Sequence, residues 1–194
     1  TQSGKGGAVW VLETQFGIYP PKAMHPEIGA AVQDFAEQVG GREVTPKEVH
    51  TVFLNRFVFP GGGPFELVQF RTRPGENSQT IGELEIRTKR IGDIKGRDEP
   101  EKTEAEGNGT ISAFMACIRN IGINHFGIGD YHEQSLPATE RGADAEAMAF
   151  VPLRFEDGTL IHGVGIHTDI ALAPIHAIVA GMNRYAIAKQ RGEL

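Results

Sequence analysis

The stretch that decides the fold is Glu106-Gly-Asn-Gly-Thr-Ile-Ser-Ala-Phe-Met115, EGNGTISAFM. A short charged segment, Lys102 to Glu106, runs into Gly107-Asn-Gly109. A helical pattern starts at once, with Ile111, Phe114, Met115 and Ile118 at i, i+3, i+4 and i+7. The reading is strand, tight turn, helix. Glycine and asparagine suit a turn with positive backbone angles. A helix start also carries free N–H groups that can hold an anion. Three uses are open: a phosphate loop, a catalytic turn, or one wall of a pocket for something smaller. The phosphate loop is weak, because no Lys-Ser/Thr comes after it and the turn is too short for a dinucleotide fingerprint.

Working outward, Phe65 to Arg73 alternates in part, with Phe65, Leu67 and Gln69 expected on one face and Val68 and Phe70 on the other. Thr80 to Arg90 alternates better: Ile81, Leu84 and Ile86 stand among Glu83, Glu85 and Arg87. Pro74-Gly-Glu-Asn77 is the turn between them. These two strands, the Lys102–Glu106 segment and the helix make one βββα unit. The plan then repeats. Gly127 to Gln134, Ala145 to Phe155 and Leu160 to His167 read as strands. Ile175, Ile178, Val179 and Met182 mark a final helix, with Pro174 in its first turn.

Upstream the period is helical throughout. Ala8, Val9, Val11, Leu12 and Phe16 form one stripe, and Ile28, Ala31, Val32, Phe35 and Val39 a second behind Pro26. Thr45-Pro-Lys-Glu48 is a capping-box pattern before Val49, Val52, Phe53 and Phe57. Pro60-Gly-Gly-Gly-Pro64 is the clearest break. The expected class is α+β: a helical linker subdomain at 1–63, then a domain at 64–194 of two pseudo-symmetric βββα units, about 65–122 and 123–194. A ligand site at the junction of such a pair is natural.

Composition narrows the functions. The 194 residues carry a net charge of −6, with 40% hydrophobic and 23% charged residues. An acidic chain is a poor candidate for coating nucleic acid or anionic membrane. No apolar run is long enough to cross a bilayer as a helix. One cysteine, Cys117, allows no internal disulfide and suits a cytoplasmic setting. It falls on the apolar side of its helix, as core filler rather than nucleophile. The chain begins at Thr1 without a secretory signal, which leads us to expect a piece of a longer protein.

Other chemistry-bearing motifs are thin. Gly4-Lys-Gly-Gly7 lacks the phosphate-loop spacing and a preceding strand. His162 and His167 are five apart, so a strand sends them to opposite faces, and no metal site is expected. Asp130-Tyr-His-Glu133 brings acid, base and phenol together, yet no Ser or Cys nucleophile is tied to it.

These pieces, in this order, resemble the C-terminal half of the 2-isopropylmalate synthase family. They are Ser3-Gly-Lys-Gly-Gly7, Glu106-Gly-Asn-Gly109, Asp130-Tyr-His-Glu133, Gly142-Ala-Asp-Ala145, Gly163-Val-Gly-Ile166, Asp169-Ile170 and Met182-Asn-Arg184. Each is weak alone; the ordered set is specific and spans nearly the whole chain. Citramalate and homocitrate synthase relatives share parts of it. The resemblance implies a parent with a metal-dependent barrel that condenses acetyl-CoA with 2-oxoisovalerate in leucine biosynthesis. This chain would lie C-terminal to the barrel, as a linker and a leucine-binding regulatory domain that forms a homodimer. The metal-binding His-x-His of the barrel is not in the sequence, so neither cofactor nor turnover is expected of this piece. The family pocket, carried over position by position, falls on Asn108, Ile111, Gly129, His132, Leu136, Ala145 and Ile170. Gly107 and Gly109 shape the helix start. Asp130, Asp144 and backbone carbonyls are the candidates for the effector's ammonium. Three rivals stay open: an isoleucine-binding domain of a citramalate synthase, an effector-free dimerisation module, and a small enzyme using Asp130, His132 and Glu133.

Overall fold

The computed structural model describes residues 5–123, 125–137 and 145–194. Ser3 and Gly4 of the first glycine motif, and Gly142 to Asp144, lie outside that range. The described chain is α+β, as expected, with two antiparallel sheets.

Three helices come first: α1 (Lys5–Phe16), α2 (His25–Gln38) and α3 (Pro46–Phe53). The capping box at α3 is complete. Glu48 N–H donates to the Thr45 hydroxyl at 3.3 Å, and Thr45 N–H donates to the Glu48 carboxylate at 2.9 Å. Between them they satisfy donors that a helix start otherwise leaves unpaired. After α3 the backbone widens into one π-helical turn, Leu54–Val58, which keeps Phe57 and Val58 buried.

The first sheet has the order β1-β2-β3, with β1 at Phe65–Pro74, β2 at Thr80–Thr88 and β3 at Glu101–Gly107. Here one expectation is corrected. The register shifts between Leu67 and Gln69 opposite Ile86 and Glu85, leaving Val68 as an extra residue. That bulge restores the inward face after the skip. Phe65, Leu67 and Phe70 therefore pack on one core, and Val68 is 44% exposed. Helix α4 (Thr110–Asn120) covers this sheet.

The second sheet is built on β6 (Ala147–Phe155). Strand β7 (Leu160–His167) pairs along one edge of it. The expected single strand from Gly127 to Gln134 is two strands on the other edge, β4 (Phe126–Ile128) and β5 (His132–Ser135). Ile128 faces Leu153 and His132 faces Phe150, so the chain between them carries one residue more than its partner. Pro152 sits opposite that irregularity, where proline is tolerated inside a sheet.

Strand β6 is buried on both faces. Ala147, Ala149, Val151, Leu153 and Phe155 join the core shared with α4 and α5 (Ala173–Gln190). Met148 and Phe150, with Val164 of β7, complete the core of the helical layer, around Leu12, Phe53 and Phe57. The three N-terminal helices thus borrow one sheet face to close their core. On the opposite face, Gly163 and Gly165 let α5 lie against β7. A Cβ at either would overlap α5 backbone at Ala177 or Ala173.

Candidate functional site

Helix α4 begins without a left-handed residue. Gly109 is fully extended, with φ 176° and ψ 179°, and neither Gly107 nor Asn108 has a positive φ in the left-handed region. The turn reading that gave these residues positive angles is corrected. Gly107 is needed for space, since a Cβ there would overlap the Ala113 amide and the Ser112 hydroxyl. Ser112 fastens the first turn. Its hydroxyl accepts from Gly109 N–H at 3.0 Å and donates to the Gly109 carbonyl at 3.1 Å.

This helix start is one wall of an open cavity of about 680 Å³. A second wall is β4 and the segment after it, with Phe126, Ile128, Tyr131 and Glu133. A third is the turn before α5, with Ile170, Ala171 and Pro174. That turn is fixed locally. The Asp169 carboxylate accepts from Ala171 N–H at 2.8 Å, and His167 Nδ1 accepts from Asp169 N–H at 2.8 Å. The starts of both α4 and α5 therefore meet at the cavity, one from the three-stranded unit and one from the four-stranded unit.

Its chemistry is mixed. Ile111, Met115, Ile128 and Pro174 give apolar wall, while Arg119 and Glu133 supply opposite charges. Glu133 is an exposed residue, and partial desolvation at the cavity wall holds its carboxyl above the ordinary glutamate value. A carboxylate so placed gains from a cation. The donors at the start of α4 suit an anion, and the Arg119 guanidinium, in the last turn of the same helix, is a second positive group on the wall. A zwitterion with an aliphatic side chain matches both halves.

Of the sequence-derived residues, Asn108, Gly109, Ile111 and Ile170 line this cavity. Gly129 is not in the lining; it follows Ile128 in the chain and donates its N–H to the Pro152 carbonyl at 3.0 Å. His132 and Leu136 are brought elsewhere. Strand alternation turns Glu133 to the cavity and its neighbours to the helical layer. Leu136 packs on the helical core, and Gln134 bonds Gly17 and Tyr19 backbone at 2.7 and 2.8 Å. Ala145 is exposed ahead of β6, and Asp130 is exposed and outside the lining. Asp144 is outside the described residues. The sequence reading did not select Arg119, Tyr131 or Glu133 for the pocket. Ile111, Met115 and Arg119 are spaced i, i+4, i+8, one helical face, which was the available signal. Among the described residues no three His, Cys, Asp or Glu gather as metal ligands. Nor, among them, is any helix long and apolar enough to cross a membrane.

Two strand-rich units, each with its own helix, and a cavity where those two helices start define an α+β domain. The chain belongs to the LeuA allosteric (dimerisation) domain family, whose model matches residues 43–186. Its curated relatives include 2-isopropylmalate synthases. That of Acetoanaerobium sticklandii is 27% identical over 194 residues, covering 100% of this chain and 32% of the relative. That of Rhizobium meliloti is 31% identical over 185 residues, covering 95% and 31%. That of Clostridium acetobutylicum is 29% identical over 184 residues, covering 95% and 31%. The chain spans about a third of the length of these relatives.

Proposed function

We propose that this chain is the regulatory part of a 2-isopropylmalate synthase, and that the junction cavity takes L-leucine as a feedback inhibitor. The observation that carries the reading is the pairing, in one cavity, of the α4 start and Arg119 with Glu133 across an aliphatic wall. The leucine carboxylate would face the α4 donors, with Asn108 beside them. Its ammonium would face Glu133, a better-placed partner than Asp130. Ile111 and Ile170 would hold the isobutyl group, whose burial contributes roughly 2 kcal/mol. Tyr131 and Ile170, 42% and 61% exposed at the cavity mouth, are what a second copy would cover in a homodimer. The barrel that performs acyl transfer, with its divalent metal, would belong to the rest of a longer chain.

Isothermal titration with L-leucine, against L-isoleucine, tests the effector. Saturable binding that favours leucine supports the reading. Preference for isoleucine moves the parent to a citramalate synthase. No binding of either by a folded dimer leaves a dimerisation module. Feedback is tested separately on the parent enzyme. Coupling between sites is typically about 1–3 kcal/mol, and removal of residues 65–194 should abolish leucine inhibition. Inhibition that persists overturns the allosteric role.

A further inference from the structure

We propose that a second cavity, on the far side of Phe126 from the first, binds a small, mainly apolar carboxylate. It has a volume of about 300 Å³ and lies where the start of β1, the end of β2, the segment after α4 and the middle of α5 meet. Phe65, Ile123, Phe126, Phe155 and Met182 give it an apolar interior. Phe126 lines both cavities, so the two are neighbours with separate walls.

The feature that distinguishes it from a packing void is Thr88. This residue walls the cavity and is 6% exposed. Its hydroxyl is the one buried side-chain polar atom, among the described residues, without a hydrogen-bond partner. Buried polar groups are almost always partnered, and an orphan needs a reason. Valine would fill the same space with no such cost. The nearby Arg97 N–H donates to the Thr88 carbonyl at 2.9 Å and not to the hydroxyl. Rotation about a single side-chain bond exchanges the methyl and hydroxyl positions, so the hydroxyl can be presented to an occupant.

The rim sets the charge of that occupant. Lys95, Arg97 and Glu101 stand around it. Arg97 is paired with Glu101 at 3.1 Å, and Lys95 has no ion pair among the described residues. The rim is thus net positive, above an apolar interior holding one hydroxyl. A carboxylate with a compact hydrocarbon body answers all three features. The volume is at the small end of ligand sites, which excludes nucleotides and peptides.

The four methionines make the test selective. Met182 lines this cavity, Met115 lines the first, and Met24 and Met148 lie in the helical core. Phenylacetate is titrated into the methyl-labelled full chain, with 2-phenylethanol as the uncharged comparison. A saturable shift of the Met182 methyl is expected, with Met24 and Met148 unmoved, and with the alcohol weaker by about tenfold. Thr88→Val should weaken phenylacetate by about tenfold in a protein that folds normally. Ala186→Leu, which fills the cavity, should abolish the shift. A Met182 methyl that never shifts saturably overturns the proposal and leaves a space for water. So does an affinity unchanged by Thr88→Val, which decides the matter should Ala186→Leu fail to fold.

Discussion

Glu133 and Cys117 show how desolvation decides what a reactive side chain does. The Cys117 thiol is fully buried, donates to the Gly82 carbonyl at 3.3 Å, and is pushed up by burial. A thiol of that kind is structural, as its place on the helix stripe predicts. Glu133 is also pushed up, but beside a cavity, where an incoming cation relieves the penalty. A raised folded pKa means the charged form disfavours folding above the ordinary glutamate value, and that cost fades as pH falls. Glu133→Gln should therefore leave the empty protein at least as stable at neutral pH. It should weaken leucine binding about tenfold or more, as loss of a charged hydrogen-bond partner implies. Calorimetry and thermal melts on the same two proteins check both halves. A variant that binds leucine normally removes Glu133 from the pocket.

At the scale of elements, local rules fixed helix starts well and strand details less well. The Thr45–Glu48 box was legible because it is a short-range pattern, and Thr45→Ala should cost about 1 kcal/mol in urea denaturation. Hydrogen bonds from Arg42 and Thr45 hold the Glu48 carboxyl down at about 2. A depressed folded pKa stabilises above the unfolded value and is lost as pH falls toward the folded one. The Thr45→Ala penalty should therefore shrink between about pH 4.5 and pH 2, as the Glu48 half of the box is protonated. The β1 bulge and the split of β4 from β5 were not legible. Both depend on a partner strand, Ile86–Glu85 in one case and Leu153–Phe150 in the other. The Gly163-Val-Gly165 motif acquires its reason only against α5. Gly163→Ala should cost about 3 kcal/mol through overpacking against backbone that cannot move aside. A shift in the denaturation midpoint with unchanged slope would confirm it.

Across the whole molecule, two adjacent residues of α5 hold the layers together. The Asn183 side chain accepts from Phe65 N–H and donates to the Phe65 carbonyl, each at 2.8 Å, and so fixes the start of β1. Arg184 donates to the His162 carbonyl and to Glu27 of α2, and lies over the Phe57 ring at 4.5 Å from its centroid. It ties the helical layer to both β7 and α5. Arg184→Met should destabilise by about 2 kcal/mol, less than a fully buried pair because Glu27 is partly exposed. The loss should concentrate in α1–α3, seen as faster hydrogen exchange there than in β2. Uniform exchange would place the two layers in one cooperative unit.

What the sequence by itself determined was whatever neighbours in the chain decide. That covers the helix stripes, the capping box, the strand–turn–helix at Glu106–Met115, the α+β class and, through an ordered set of weak motifs, the family. The tertiary structure decided which of those residues meet. It set Glu133 on the cavity wall and turned His132 and Leu136 to the face of the helical layer, left Ala145 exposed, and brought Arg119 to the same cavity as Ile170. Facing is set by strand register and by a bulge, and register is a property of paired chains that no local pattern carries.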